Sequence, residues 1–280
     1  MSVVLVTGCS SGIGRATARR LGQKGHTVYA SARKPADIAD LEAEGCRLLT
    51  VDVTDDASMV AAVGAIEAEH GAVDALVNNA GYSQSGPVEG VPIDDARRQF
   101  ETNVFGLARL CQLVLPAMRE RRSGRIVNLS SMGGRMTLPG GGWYHASKHA
   151  VEALSDALRF ELGPFGVQVV VIEPGVVVTE FGDTAIATAG ESTDLGGPYD
   201  TMMAGIATTV AGAYEKPKRG SSITADVVAA KIEKAITAKR PKPRYVVGAQ
   251  ARQILTARAV LPDRAWDTFL GTQFPKPTPD

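Results

Sequence analysis

Tyr144 and Lys148 stand four residues apart at the start of a segment with strong helical spacing. Residues four apart share a helix face, so the two side chains can converge. A free phenol, with a pKa of about 10, is a poor base at neutral pH. An ammonium beside it, joined by other positive charge, favours the phenolate and lowers that pKa. Such a group can give a proton to a forming alkoxide or take one from an alcohol. The pair recurs by chance on many helices, so its weight depends on what accompanies it.

A glycine cluster accompanies it. The apolar run Val3–Val6 leads into Thr7-Gly8-Cys9-Ser10-Ser11-Gly12-Ile13-Gly14, and a helical segment follows. Glycines let the backbone turn sharply and come close to a pyrophosphate. The helix N-terminus then offers free N–H groups and the positive end of its dipole. The cluster ends the first strand and opens the first helix, where a dinucleotide fingerprint belongs. The second strand ends Tyr29-Ala30-Ser31-Ala32-Arg33. About 20 residues past such glycines, NAD is met by a carboxylate on the ribose 2′-hydroxyl, whereas an arginine accommodates the 2′-phosphate of NADP. Ala32 takes the acid's place here and Arg33 follows. A guanidinium can bind a phosphate through two parallel hydrogen bonds. The expected cofactor is NADP(H), with NAD as the alternative.

The spacing Gly-x-x-x-Gly-x-Gly, with Thr7 in front, resembles the glycine motif of the classical short-chain dehydrogenase/reductase family. Further motifs follow in that family's order up to Thr179. Val51-Asp52-Val53 resembles its adenine-contacting aspartate site. Asn78-Asn79-Ala80-Gly81 is similar to its N-N-A-G, which holds the sheet centre beside the cofactor. Pro174-Gly175-Val176-Val177-Val178-Thr179 resembles its P-G-x-x-x-T, whose threonine and backbone hold the nicotinamide carboxamide. The resemblance implies an oxidoreductase that moves hydride between nicotinamide and a carbonyl/alcohol pair. It makes Tyr144 the proton-transfer group and Lys148 its electrostatic partner. Ser131, thirteen residues before Tyr144, matches the serine that hydrogen-bonds the substrate oxygen, with Ser130 as its rival. Asn103 matches the asparagine that positions a water chain reaching the lysine; asparagine is a poor interior helix residue and calls for a local reason. Implied cofactor contacts are Gly8, Ser10, Ser11, Gly12, Ile13, Gly14, Arg33, Asp52, Val53, Asn79, Ala80, Gly81, Tyr144, Lys148, Pro174, Gly175, Val177 and Thr179. Many NADP-preferring relatives carry a basic residue where Ser11 stands, which keeps NAD open. A catalytically silent NADP-binding sensor is the alternative function, and the intact Ser131, Tyr144 and Lys148 argue against it.

Apolar residues near these motifs suggest the substrate. Tyr82, Met132, Leu138, Trp143, Val176, Phe181, Met202 and Met203 make an adaptable wall of methionine and aromatics. The expected substrate contacts are Ser131, Met132, Leu138, Trp143, Tyr144 and Phe181, around a hydrophobic ketone or secondary alcohol. Ser131-Met132-Gly133-Gly134 and the extended C-terminal part are similar to hydroxysteroid and retinol dehydrogenases, which implies a steroid- or retinoid-like molecule.

The elements that position these residues alternate in period. Apolar, β-branched runs at Val3–Thr7, Thr27–Ser31, Arg47–Val51, Val73–Asn78, Arg125–Leu129, Val167–Ile172 and Arg244–Val247 read as strands. Ile13–Lys24, Ala57–His70, Ala96–Arg121 and Tyr144–Leu162 carry helical spacing. This predicts an α/β fold: one doubly wound, Rossmann-type parallel sheet with helices on both faces. From Val177 to about Ser222 the rhythm fails, and a long irregular, lid-like insertion is expected after the sixth strand. Residues 250–280 read as two short helices broken at Pro262 and a frayed tail. The whole chain, 1–280, is expected to be one domain.

Bulk properties narrow the field. Thirty basic and thirty acidic residues cancel, so no charge excess draws the chain to nucleic acid or an anionic membrane. Cys9, Cys46 and Cys111 are too few and scattered for a disulfide framework, which points to a reducing cytoplasm. His145 and His149 form an i, i+4 pair with no third ligand at metal spacing, so a solvent-facing pair is expected and no metal. The family resemblance implies a homodimer or homotetramer built on the helices of 96–121 and 144–162. Peripheral membrane contact by the basic C-terminal helices has no support beyond their charge.

Overall fold

A computed structural model describes residues 1–191, 197–215 and 222–278. Its centre is a seven-stranded sheet in the order β3-β2-β1-β4-β5-β6-β9, every neighbour parallel. The strands are β1 (Val3–Val6), β2 (Thr27–Ala32), β3 (Cys46–Thr50), β4 (Ala75–Asn78), β5 (Gly124–Leu129), β6 (Val167–Pro174) and β9 (Arg244–Val247). The order reverses between β1 and β4, which opens a crevice at the carboxyl ends of those strands. Strand alternation divides the core. Val4, Val6, Val127 and Ile172 pack on one face with Leu21 and Ile232. Leu5, Leu76, Ile126 and Val169 pack on the other with Ile66, Leu110, Met118 and Val151. Two buried faces explain the near-continuous apolar strands.

The helices are α1 (Gly12–Gln23), α2 (Asp56–His70), α3 (Ile93–Phe100), α4 (Gly106–Glu120) and α5 (Gly142–Leu162), then α6 (Phe181–Glu191), α7 (Asp200–Glu215), α8 (Ala225–Thr237), α9 (Ala249–Val260) and α10 (Asp263–Gln273). The single helix expected over 96–121 is interrupted: Glu101–Phe105 forms a π turn between α3 and α4. That widened turn is the local reason asparagine is tolerated at 103. The expected irregular insertion is also corrected. Val176–Val178 forms β7, which pairs in parallel with β8 (Ser222–Thr224), and α6 and α7 lie between them. Their interiors, mostly small residues with charge only near the ends, blur the helical period that charged faces sharpen elsewhere. Residues 192–196 and 216–221 of the expected lid lie outside the described residues, as do 279–280 of the tail. The two C-terminal helices meet at Pro262 as expected.

Candidate active site

The β1–α1 turn is shaped by close approach. Gly8 has φ +69, and a Cβ there would lie 2.9 Å from Ala80 Cα. A Cβ on Gly14 would collide with the Gly8 carbonyl oxygen, so only glycine lets α1 start this near the strand. Gly12, at φ +52, faces Thr179: a Cβ there would meet the Thr179 side chain at 3.0 Å. Ser11 precedes α1 in an extended conformation, and its side chain makes no capping hydrogen bond. The first N–H groups of α1 therefore keep their capacity for an anion. This uncapped, glycine-walled turn fits a pyrophosphate.

Thr7 ties the turn to the next strand. Its hydroxyl accepts from the N–H groups of Asn79 (3.0 Å) and Ala80 (3.1 Å). The Asn79 amide donates to the carbonyls of Thr7 (2.9 Å) and Gly8 (3.0 Å). Both amide hydrogens thus go to the backbone, and Asn79 clamps the glycine turn to the end of β4. Behind it, Asn78 donates to Asn128 at 2.9 Å, and Asn128 to Ser155 at 2.9 Å, bridging β4, β5 and α5.

Arg33 lies exposed at the end of β2 and forms no ion pair among the described residues. Asp52, just past β3, accepts from the Thr54 N–H (2.9 Å) and hydroxyl (2.7 Å). Burial alone would raise its carboxyl pKa. The Thr54 hydrogen bonds and the Arg33 charge outweigh that, and the net direction is down. Val53 is buried, and its carbonyl abuts Gly106 at the start of α4. Sequence reasoning passed over Arg15, which donates to the carbonyls of Ser10 (3.0 Å) and Asp37 (3.1 Å) and pairs with Asp40. An i+1 arginine inside a helix gives no periodic signal of this reach.

The candidate reacting groups gather at the carboxyl end of β5. Lys148 is buried, and its Nζ donates to the Leu129 carbonyl at 2.8 Å. It sits 5.9 Å from the centre of the Tyr144 ring. Desolvation pulls its pKa down to about 8, with Glu152 pulling the other way. Burial pushes the Tyr144 phenol up from its ordinary value, and a hydrogen bond with Ser131 only partly offsets this. The expected lowering of that pKa is therefore not what the protein alone produces. One N–H of the lysine goes to a backbone carbonyl, and desolvation of the phenol is the largest influence on its pKa. The phenol consequently holds its proton at neutral pH. Ser131 also accepts from the Gly133 N–H at 3.0 Å. Its rival Ser130 is buried with no hydrogen-bond partner for its hydroxyl, and it lies against Gly134.

Asn103 fastens the π turn to the site. Its carbonyl oxygen accepts from the Tyr82 N–H (3.1 Å), and its amide donates to the Tyr82 carbonyl (3.0 Å) and Ser147 Oγ (3.1 Å). Gly81 is the meeting point: a Cβ there would stand 2.9 Å from Asn103 Oδ1 and 3.7 Å from Lys148 Nζ. The close approaches of Gly8 to Ala80 and of Gly81 to Asn103 and Lys148 bring the glycine turn and the Tyr144 group together at the carboxyl ends of the central strands. On its other wall, the Gly175 N–H donates to the Val247 carbonyl at 2.9 Å, just after Pro174, and Val177 is buried in β7.

The substrate candidates divide. Phe181 stands 5.9 Å from the Tyr144 ring, centre to centre. Tyr214, which sequence reasoning missed, is close enough to act on Tyr144 electrostatically and covers Gly182. Trp143 instead packs edge-to-face on Phe100 of α3, 6.4 Å between ring centres. Met132 and Leu138 pack against a cluster of Met136, Leu255 and Trp266, under the C-terminal helices. Met202 and Met203 are buried with Ile206. The His145/His149 expectation is half corrected: His149 is exposed, but His145 is buried with Nδ1 3.0 Å from the Gly133 carbonyl. Desolvation lowers its pKa to about 4. It locks the turn after Ser131 onto α5.

Behind Lys148 lies a buried charge cluster. Glu173, fully buried on β6, is 3.1 Å from Arg244 and 3.3 Å from Arg135. Arg244 also pairs with Glu152 at 3.0 Å and with both Asp156 oxygens, at 2.6 and 2.7 Å. Burial, and then repulsion from Glu152, raise the Glu173 pKa against the two arginines.

The short chain dehydrogenase family model matches residues 2–189, and the chain belongs to that family of oxidoreductases. Among its relatives, a 3-ketodihydrosphingosine reductase of Bacteroides thetaiotaomicron is 43% identical over 65% of this chain and 66% of its own. An NADPH-dependent 3-dehydrocapnine reductase of Ornithobacterium rhinotracheale is 38% identical over 95% of both chains. A short-chain dehydrogenase of Streptomyces avermitilis superposes with a TM-score of 0.79 and 32% identity, covering 97% of this chain and 95% of its own. No described helix is long and apolar enough to cross a membrane.

Proposed function

We propose that the chain is an NADP(H)-dependent oxidoreductase that reduces a hydrophobic ketone to a secondary alcohol, with Tyr144 as the proton donor. The observation that carries this is the meeting of Ser131, Tyr144 and Lys148 at one end of a crevice whose other end is an uncapped, glycine-walled helix start. NADPH, when bound, supplies the hydride. The residues of 8–14 would hold its pyrophosphate, Asp52 and Val53 its adenine, and Pro174, Gly175, Val177 and Thr179 its nicotinamide end. Ser131 steadies the carbonyl oxygen as charge develops on it. Tyr144, which holds its proton at neutral pH, hands that oxygen a proton. Lys148 stabilises the phenolate left behind. Asn103, fixed on the Tyr82 backbone, sets the position of the Gly81 turn against the Lys148 ammonium.

Both relatives are named as reductases, one for the keto form of dihydrosphingosine and one as NADPH-dependent. Within the hydrophobic class, we adopt a ketone on a long alkyl chain as the substrate of this chain. Arg33 is assigned the 2′-phosphate. Loss of nicotinamide absorbance with both cofactors, across ketones of graded polarity, tests the reaction. Arg33→Ala is expected to weaken NADPH binding about tenfold or more, as removal of a charge-assisted bidentate partner does, while NADH binding changes little. Equal losses for both cofactors would remove the assignment. The same reading pairs copies through α4 and α5, near which Phe105 and Phe160 are exposed.

The Lys148 ammonium sets a pH limit. Its depressed pKa of about 8 means that the charged form dominates below that pH and is lost as pH rises through it. Ketone reduction is expected to fall on the alkaline side with a midpoint near that value. Lys148→Met should be slow at every pH and show no such limb; a wild-type profile flat into the range of free lysine would contradict the role.

A further inference from the structure

Lys148 is buried, and among the described residues its Nζ donates to one partner, the uncharged Leu129 carbonyl. No carboxylate of the described residues comes within ion-pair distance of it. A buried ammonium is unfavourable unless an opposite charge compensates it. The carboxylates of the elements around it narrow to one. On α3 and the π turn, Asp94 and Asp95 pair with Arg97 and Arg98, and Glu101 is exposed. On β6, Glu173 is matched by Arg135 and by Arg244 of β9. On α5 itself, Asp156 reaches solvent and both its oxygens accept from Arg244. His145 of the same helix is neutral at the pH of interest, since desolvation holds its pKa down to about 4. Glu152 remains.

Glu152 follows Lys148 by four residues in α5, and both are buried. Residues so spaced are neighbours on one helix face, with about 5–6 Å between Cβ atoms. Both sit at the end of β5. Lys148 bonds to Leu129 there, and at the turn that follows, a Cβ on Gly134 would stand 2.5 Å from Ser130 Oγ and 3.0 Å from both Glu152 Cγ and the Lys148 carbonyl oxygen. We infer that Glu152 is the counter-charge that keeps the Lys148 side chain an ammonium, a positioning residue that acts through the lysine; the inference rests on the role of Lys148 read above.

Arg244 holds this carboxylate and leaves part of its charge free. The guanidinium Nε carries one hydrogen, which goes to Glu152 Oε2 at 3.0 Å although Glu173 Oε1 is only 3.1 Å away. Glu152 Oε1 is buried and accepts from no donor. The attraction of Glu152 opposes the desolvation that pulls the Lys148 pKa down.

Glu152→Gln and Glu152→Met both remove the charge, the first keeping the shape and the second filling the space with apolar atoms. Either leaves Arg244 with Glu173 and Asp156, so at least one should fold as the parent does, which a thermal melt checks. Loss of an opposite charge favours the neutral amine, so the alkaline limb of ketone reduction should move to lower pH by about one unit. Between the old and new midpoints kcat should fall up to about tenfold, while well below both it should match wild type. Glu152→Asp keeps the charge on a stem one methylene shorter and should hold the midpoint within about 0.3 unit of wild type. A wild-type limb in the charge-removing variants overturns the inference. So does a limb moved as far by Glu152→Asp, which would show packing at work, or a loss of activity equal at every pH. Failure of the reaction reading looks different: no ketone would be reduced at any pH. The Cε carbon resonance of Lys148, assigned by its absence from Lys148→Met, then follows the ammonium without turnover. Its titration should move down by the same shift in Glu152→Gln and Glu152→Met and stay near wild type in Glu152→Asp; one midpoint for all four proteins sinks the inference.

Discussion

Tyr144→Phe is expected to lower ketone reduction by about 10²–10⁴-fold, the range a positioned general acid supplies, while NADPH still binds. The substitution removes one oxygen and keeps the ring that packs 5.9 Å from Phe181, so the crevice should retain its shape. The loss should sit in kcat, because the proton matters only as charge develops on the carbonyl oxygen. Ser131 would lose its hydroxyl partner, yet it would keep the Gly133 N–H that fixes its rotamer. Rapid-reaction measurement of NADPH consumption, paired with a cofactor titration, separates the two effects. Weak NADPH binding with undiminished turnover at saturation would show the tyrosine to be a cofactor clamp and no acid.

The second large effect concerns stability. Arg244→Met is expected to cost about 3–5 kcal/mol, as breaking a buried pair from one side does. Glu173 is fully buried and Glu152 nearly so, and Arg244 touches both. Arg135 remains for Glu173 but reaches only one of its oxygens. At a few degrees per kcal/mol in a chain of this size, the fall in Tm is about 10 °C. The deficit should also depend on pH. Glu173 already has a raised pKa from burial, and losing the arginine raises it further. A carboxyl raised in the folded state is stabilising while it is protonated, and that stability is lost as pH rises through its folded pKa. The variant should therefore lie closest to wild type in mild acid and furthest above it. Adding Glu173→Gln should return much of the loss, since no buried charge is then left without a partner. Thermal melts of the three proteins across pH check this; a melt of Arg244→Met equal to wild type at neutral pH would show the cluster to be solvated.

How far the sequence alone carried depended on contrast. Strands such as Val167–Pro174 are apolar on both faces and bounded by Gly166 and Gly175, so their type and place were plain. The glycine turn was plain because close approach leaves no substitute for glycine at 8 and 14. Asn103 drew notice as a poor helix former, and the π turn explains it. What stayed hidden had no local signal. Helices α6 and α7, rich in Ala, Gly and Thr, show little difference between faces. The Glu152–Arg244–Glu173 cluster joins residues far apart in sequence, and charges there look like any solvated face. Trp143 entered the expected pocket wall on its apolar character alone, and one step along a helix turns a side chain by about 100° from Tyr144. That rotation sends it to Phe100. The raised pKa of the Tyr144 phenol in the protein alone was hidden for a related reason: neighbouring charge is visible in a sequence, and desolvation is not.

The account stands most directly on whether a hydride passes from nicotinamide to carbon under the control of one phenol. NADPH carrying deuterium at the transferable position should be mixed with a long-chain ketone and an excess of enzyme, and the alcohol product analysed by mass. The account predicts deuterium on the carbinol carbon with wild-type protein, and almost none over the same interval with Tyr144→Phe. Alcohol formed without the label, or labelled at equal speed by both proteins, would contradict it.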